Sequence, residues 1–195
     1  VAPLEIQANP ESVEVRDEKA TNISSPKYTE PLRNTPQTIA IIPKTVIEQQ
    51  SATTLRDVLR NVSGLTITAG EGGNPAGDNL TLRGFTARND IFVEGVRDLS
   101  PQSRDPFNLE QVEIVKGPGS AFSGRGSTGG AINPVNKAPI SLRSFSGTLM
   151  LGTDRTKRIT GDVNLPLGDT TAFRLNLMVH DSGVAGRDVV ENERW

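Results

Sequence analysis

Hydrophobic and polar positions follow two regimes along this chain, and the change falls near residue 140. Before it, short apolar runs lie between glycine- and proline-rich stretches. After it, apolar and polar residues alternate over three successive segments. In Phe145 to Gly152 the odd positions Phe145, Gly147, Leu149 and Leu151 are apolar or small, and the even ones are Ser146, Thr148 and Met150. Ile159, Gly161, Val163 and Leu165 alternate with Thr160, Asp162 and Asn164; Phe173, Leu175, Leu177 and Val179 alternate with Arg174, Asn176, Met178 and then His180. A period of two puts successive side chains on opposite faces of a strand, so these segments predict an antiparallel sheet with one apolar and one polar face. Pro166 to Thr170 reads as a short turn and Val184 to Trp195 as a polar, loop-like tail. The wall of a transmembrane β-barrel and a one-sided soluble sheet alternate in the same way, so the pattern alone does not choose between them.

The first 139 residues carry other signals. Val1 to Tyr28 is a polar, acid-leaning arm. Thr35 to Pro43 predicts a short strand bracketed by prolines, and Pro43 leads into a helical turn over Lys44 to Gln50. Leu55, Val58, Leu59 and Val62 recur at i, i+3, i+4 and i+7, which predicts a helix with one apolar stripe. Thr54 with Asp57 resembles a capping box, and Gly64 supplies a C-terminal stop. Leu65 to Thr68 is strand-like and opens into a glycine-rich loop, Ala69 to Asn79. Leu80 to Phe85 reads as an alternating strand. After the polar loop Thr86 to Asp90, Ile91 to Asp98 reads as two short strands turning at Glu94-Gly95, and Leu99 to Asn108 is a second polar loop.

Leu109 to Pro139 then reads as strand, tight turn, short helical turn, glycine loop and strand. Val112, Ile114 and Val115 form a β-rich run ended by Gly117-Pro118. Six glycines lie between Gly117 and Gly130, and Gly124-Arg125-Gly126-Ser127-Thr128-Gly129 fits the G-x-G-x-x-G pattern of dinucleotide sites. Such a loop must open a helix so that the pyrophosphate meets the helix N-terminus. Here it leads into Ala131-Ile132-Asn133-Pro134-Val135, which is strand-like. These glycines are read as turn-makers.

Composition narrows the functional classes. A net charge of -2 gives no support for nucleic-acid binding. There is no cysteine, hence no disulfide or thiolate metal site, and the single histidine, His180, falls on the polar face of a strand. No carboxylate pair has a spacing that specifies acid–base work, so the chain is not expected to be an enzyme. No apolar run approaches the ~20 residues of a membrane helix, so membrane insertion would have to use strands.

The stretch from Leu109 to Lys137 resembles, at nearly every position, the segment of type E-R-I-E-V-x-R-G-P-x-S-x-L-Y-G-x-G-x-x-G-G-x-I-N-x-x-x-K that closes the plug domain of TonB-dependent outer-membrane receptors. It departs at Lys116 (commonly Arg), at Phe122-Ser123 and at Pro134. The opening strand and helix resemble the family's P-x-x-I-x-V-I and L-x-D-x-L-x-x-x-P-G-V elements, with Ser63 in place of the usual Pro. Leu80 to Phe85 resembles I-x-I-R-G-F, and Val93 to Val96 resembles V-D-G-V with Glu94 for Asp. The resemblance is to the ferric siderophore receptors. It implies an N-terminal arm (1–28), an α/β plug domain with a mixed four-stranded sheet and short helices (29–139), and the first antiparallel strands of a transmembrane β-barrel (140–195). Three strands cannot close a barrel, so on this reading the barrel is incomplete in this chain.

The family's function then becomes the expectation: TonB-dependent uptake of a ferric siderophore, of catecholate type, across the outer membrane of a Gram-negative bacterium, with the plug gating the barrel. Iron would travel as substrate and no cofactor is expected. Expected partners are the ferric siderophore, the TonB protein with its inner-membrane energising complex, and outer-membrane lipid, with no nucleic acid. Leu4, Glu5, Ile6, Gln7 and Ala8 resemble a TonB box, a segment that adds as a strand to the transducing partner. A ferric catecholate is a trianion, so arginines on the family's ligand-facing loops are the natural contacts. Here these are Arg88 and Arg104, with Asn74, Gln102 and Ser103 as further polar contacts. Arg83 and Lys116 match the positions where plug arginines pair with barrel glutamates. Lys116 lacks the bidentate fork, so a weaker lock is expected there. The alternative is a free-standing soluble periplasmic binding module that reuses the plug fold.

Overall fold

The computed structural model describes residues 23, 24, 28, 30–68, 77–100, 102–119, 127–153, 155–184 and 187–195, with the side chains of 184, 187–190 and 192 left out. The chain divides into two compact units, Val1–Asn136 and Lys137–Trp195.

In the first unit a 3₁₀ turn, Leu32–Asn34, precedes strand β1, Thr38–Pro43. Helix α1, Lys44–Gln49, follows with Pro43 as its N-cap residue, and helix α2 spans Leu55–Leu59. The short strands are β2 (Leu65–Ile67), β3 (Leu80–Leu82), β4 (Phe85–Thr86), β5 (Phe92–Val93) and β6 (Val96–Arg97). The long ones are β7 (Leu109–Lys116) and β8 (Gly130–Asn136). Strands β1, β7 and β8 form an antiparallel sheet with β7 in the centre, and β2, β3 and β4 form a second one. A parallel bridge from Ile91 to Ile132 sets a further element beside β8 and gives the mixed character.

In the middle of β7, Val112 and Ile114 face the core. Both are fully buried there with Ile132, Leu82, Leu80 and the α2 residues Leu55, Val58 and Leu59. The opposite face of β7 carries Gln111, Glu113 and Val115, also buried. Pro134 is tolerated because β8 is the outer strand of its ladder.

Helix α2 begins as its spacing predicts: Thr54 Oγ1 accepts from the Asp57 N–H at 3.2 Å and donates to Asp57 Oδ2 at 2.7 Å. It stops after Leu59, earlier than the apolar stripe suggested, and Val62 packs on the core from the following turn. The stretch Leu80 to Phe85 is not one strand. It is a hairpin whose corner residues Arg83 and Gly84 have φ of 53° and 84°. Glu94 and Gly95, with φ of 52° and 81°, make the expected second tight hairpin between β5 and β6.

Residues 120–126, on which the expected short helical turn and the centre of the glycine loop fall, lie outside the described residues. The exit of the loop is clear. A Cβ on Gly129 would lie 2.1 Å from the Leu82 carbonyl oxygen, and one on Gly130 would lie 2.0 Å from that of Val115. Strand β8 starts at Gly130, so this pair lets two sheets approach rather than opening a helix to a phosphate.

The second unit is a four-stranded antiparallel meander of β9 (Ser144–Leu151), β10 (Lys157–Pro166), β11 (Ala172–Val184) and β12 (Arg187–Arg194). Val163 pairs with Phe145 and with Leu175, and Ile159 with Leu149 and Val179, so the alternating sets fall in register on one face. Strand β12 corrects the expectation of a loop-like tail. Its neighbour β11 is thirteen residues long and offers a ladder from His180↔Arg194 to Val184↔Arg187. No helix among the described residues is long and apolar enough to cross a membrane, which says nothing about strands.

Candidate functional site

The small sheet β2–β3–β4 gives the first unit two ends. At one end is the β3–β4 corner. The Arg83 N–H donates to Gly64 O at 2.7 Å, and a Cβ on Gly117 would meet Arg83 Nη1 at 3.1 Å, so the guanidinium lies against the residue next to Lys116. Lys116 Nζ donates to Ser63 Oγ at 2.9 Å. Arg83 is exposed, and neither cation has a carboxylate partner among the described residues. The structure therefore brings the two sequence-predicted lock residues together as a local pair of positive charges.

At the other end lie the loops flanking β3 and β4. The Ala87 N–H donates to Leu80 O at 2.8 Å and the Asp90 N–H to Ala87 O at 3.0 Å, which makes a tight turn from which Arg88 and Asn89 project. Asp90 is held from below: it accepts from the Ser127 N–H at 3.1 Å and stands 3.6 Å from Arg97 Nη2, whose guanidinium stacks 5.2 Å from the Phe92 ring centre. Arg88 is half-exposed and makes no ion pair among the described residues. Its guanidinium is available to an incoming anion.

Arg104 is placed differently. Its side chain is 9% exposed. Nη1 donates to Asp78 Oδ2 at 3.0 Å; Nη2 and Nε donate to Asp98 Oδ2 at 2.6 and 3.2 Å; and the carbonyls of Gln102 and Ser100 take longer bonds at 3.4 and 3.3 Å. The Arg104 N–H also donates to Asp78 Oδ2 at 3.1 Å, while its carbonyl accepts from the Leu55 N–H at 2.8 Å. One arginine thus ties residue 78, the 98–104 loop and the start of α2 together. Burial pushes the Asp78 carboxyl up from its ordinary range against the pull of Arg104, whereas the Ser100 N–H and Arg104 hold Asp98 below it. A ligand contact by Arg104 would require breaking these bonds, whereas Arg88 makes no ion pair among the described residues.

Gln102 and Ser103 are exposed beside this clasp. Ser103 lines a cavity of about 310 Å³ with Thr54, Arg56, Asp57, Arg60 and Ile67. Asn74 and the TonB-box residues Leu4 to Ala8 lie outside the described residues. The aspartates that claim Arg104 were missed by sequence reading.

The second unit reverses the usual arrangement. Arg158, Asp162, Asn164, His180 and Ser182 are buried, while Phe145, Leu149, Leu151, Ile159, Phe173, Leu175, Leu177 and Val179 are exposed. Arg174 grips Asp162 with two bonds of 2.9 and 2.8 Å, Lys137 approaches the same carboxylate at 3.2 Å, and Arg174 Nη1 donates to Ala138 O at 2.8 Å. Asn164 binds the backbone of Ile140 and Leu142. These side chains hold the 137–142 segment to the polar face. His180 pairs with Ser182 at 3.1 Å on that face, away from any cluster of metal ligands among the described residues.

Against this geometry, the family model "TonB-dependent Receptor Plug Domain" matches residues 31–131. The chain belongs to the TonB-dependent receptor plug family. It is 51% identical over 164 residues to the probable TonB-dependent receptor BfrD of Bordetella pertussis, covering 84% of this chain and 22% of the relative. It is 42% identical over 174 residues to the catecholate siderophore receptor Fiu of Escherichia coli, covering 88% and 23%. The crystal structure of the ferric-catecholate import receptor Fiu in its closed form superposes with a TM-score of 0.84 at 41% identity, over 89% of this chain and 25% of that one. That of the siderophore receptor PiuA from Acinetobacter baumannii gives 0.83 at 37%, over 90% and 26%. The chain therefore spans about a quarter of these relatives, as a plug followed by an incomplete set of barrel strands.

Proposed function

We propose that this chain is the plug and opening barrel wall of an outer-membrane receptor that takes up a ferric siderophore of catecholate type in a TonB-dependent manner. One observation carries the reading: a family plug is followed directly by a sheet in which Arg158, Asp162, Asn164, His180 and Ser182 are buried while large apolar residues of the other face are exposed. A sheet built this way suits a surrounding of lipid on one side and a polar lumen on the other.

In this reading the Arg88 end faces the ligand. A trianionic ferric catecholate gains charge-assisted hydrogen bonds from Arg88, with Gln102, Ser103 and Asn74 adding neutral contacts. The Arg104 clasp shapes the loop that presents Gln102 and Ser103. The opposite end, with Arg83 and Lys116, pairs with carboxylates of the barrel wall and holds the plug closed. Residues Leu4 to Ala8 engage TonB, whose pull on the arm unseats the plug. No step makes or breaks a covalent bond.

The test is uptake of the iron(III) complex of 2,3-dihydroxybenzoate by iron-starved cells that express the intact protein as their one catecholate receptor, with and without TonB. Uptake that requires both supports the proposal. A product recovered in the soluble periplasmic fraction, indifferent to TonB, would replace it with the free-standing binding module. Within the proposal, Arg83→Ala should loosen the plug; unchanged plug hydrogen exchange together with unchanged uptake would remove the lock.

A further inference from the structure

We infer that Glu113 is a latch residue, the point at which the segment following the N-terminal arm is fastened reversibly to the central strand of the plug. This rests on the reading of that arm as the part engaged by TonB.

Glu113 sits in the middle of β7, on the face turned away from the apolar core, and is 1% exposed. No cation pairs with it among the described residues. Three neutral donors hold it instead. The Ser24 N–H, eighty-nine positions away in the chain, donates to Oε1 at 2.5 Å. Gln111 Nε2 donates to the same oxygen at 2.7 Å, and Asn133 Nδ2 donates to Oε2 at 2.8 Å. Gln111 lies two positions along the strand and Asn133 is the cross-strand partner, so both donors belong to the sheet and are present whatever the arm does. Among the described residues, the Ser24 N–H is the one donor to Glu113 brought by the N-terminal segment. Tyr28 extends the attachment: its hydroxyl donates to Gln37 Oε1 at 3.3 Å, just ahead of β1. Burial and the negative charge of Glu113 both push that phenol's pKa up.

A permanently covered position would be filled more cheaply by an apolar residue, as Val115 fills the site two residues on, because burying a lone carboxylate costs free energy. A carboxylate there has a different merit. When the N-terminal segment lifts, Glu113 meets water and regains its hydration, whereas an apolar face would be left exposed. Docked and undocked states are thus brought close in free energy, and the docked one is selected by a backbone N–H that only the segment can provide. Release at Glu113 lets the segment from Ser24 lift and leaves the β7–β8 ladder intact.

Hydrogen exchange on the intact protein in outer-membrane vesicles tests this with two variants. Glu113→Gln turns one acceptor into a donor among three donors. Ser24→Pro removes the single N–H and leaves the sheet untouched, so it remains informative should the first variant fold poorly. Both should speed exchange across residues 28–37 by about tenfold or more, with β7 and β8 at wild-type rates. Because both act on one bond, the double variant should exchange no faster than either single one. Wild-type exchange in Ser24→Pro, or effects that add, would overturn the latch. The receptor reading fails separately: it falls if the wild-type protein neither binds iron(III)-2,3-dihydroxybenzoate nor takes it up with TonB, whatever the exchange rates are.

Discussion

The two units use the same residue types in opposite senses. In Val1–Asn136, Leu59 and its neighbours are wholly buried, and the buried Arg104 is matched to Asp78 and Asp98. In Lys137–Trp195 the large apolar residues of one face point out, Leu177 with 61% exposure, and Arg158, Asp162, Asn164, His180 and Ser182 are covered. The first unit obeys the rule for a protein in water. The second obeys the rule for a wall between lipid and a polar interior. Burial class alone would misjudge the second unit as defective. Its strict register shows that the outward apolar face is organised.

The comparison can be broken or sharpened by substitution, from the largest expected effect to the smallest. Arg104→Gln leaves Asp78, whose side chain is 0% exposed, as an uncompensated buried carboxylate. The expected loss is about 3–5 kcal/mol in denaturant unfolding of the first unit. A loss below about 1 kcal/mol would mean that the clasp is solvated and its arginine free for ligand.

Leu59→Ala should cost the first unit about 2–5 kcal/mol through the cavity left in its core. The contrasting change is Leu177→Arg on the outward face of the second unit. It should cost about 2–4 kcal/mol in the stability of the protein folded into lipid vesicles. An effect within about 0.5 kcal/mol would place that face in water and end the comparison.

The smallest effect concerns the α2 cap. Thr54→Ala should cost about 1 kcal/mol at neutral pH. Burial raises the Asp57 carboxyl, but hydrogen bonds from Thr54 and Arg60 outweigh it and leave its pKa below the ordinary carboxylate value. A lowered folded-state pKa contributes stability that is present above the unfolded value and lost as pH falls through the folded one. The wild-type protein should therefore lose more stability on acidification through pH ~4 than the Thr54→Ala variant, as read by unfolding at a series of pH values.

Much of this architecture could be read in the chain itself. Period-two alternation marks β9, β10 and β11 because each side chain faces one of two solvents. The Thr54–Asp57 cap and the apolar stripe mark α2 because both are local. The Gly129-Gly130 pair could be read as a structural turn, though the reason for it, the carbonyls of Leu82 and Val115 in the space of any Cβ, is a tertiary contact. Strand β12 could not be read. Arg187 to Arg194 shows no clear alternation, and its ladder exists only because β11 extends past its other neighbour.

The same division holds at the functional residues. Residue type and spacing by themselves determined that arginines stand on polar loops and that a family plug precedes a one-sided sheet; that Arg83 and Gly84 turn a hairpin corner was decided by the tertiary structure. Which arginine is without an ion pair among the described residues was decided in three dimensions. Arg88 and Arg104 are equivalent as letters, but Asp78, twenty-six positions away, and Asp98 close around one of them and not the other. Likewise nothing near Glu113 in the chain announces Ser24 as its partner across eighty-nine positions. Local pattern reports the solvent a side chain faces and the turns its backbone allows. The partner of a charge depends on which distant segments the fold brings within hydrogen-bond reach, and only the tertiary structure holds that information.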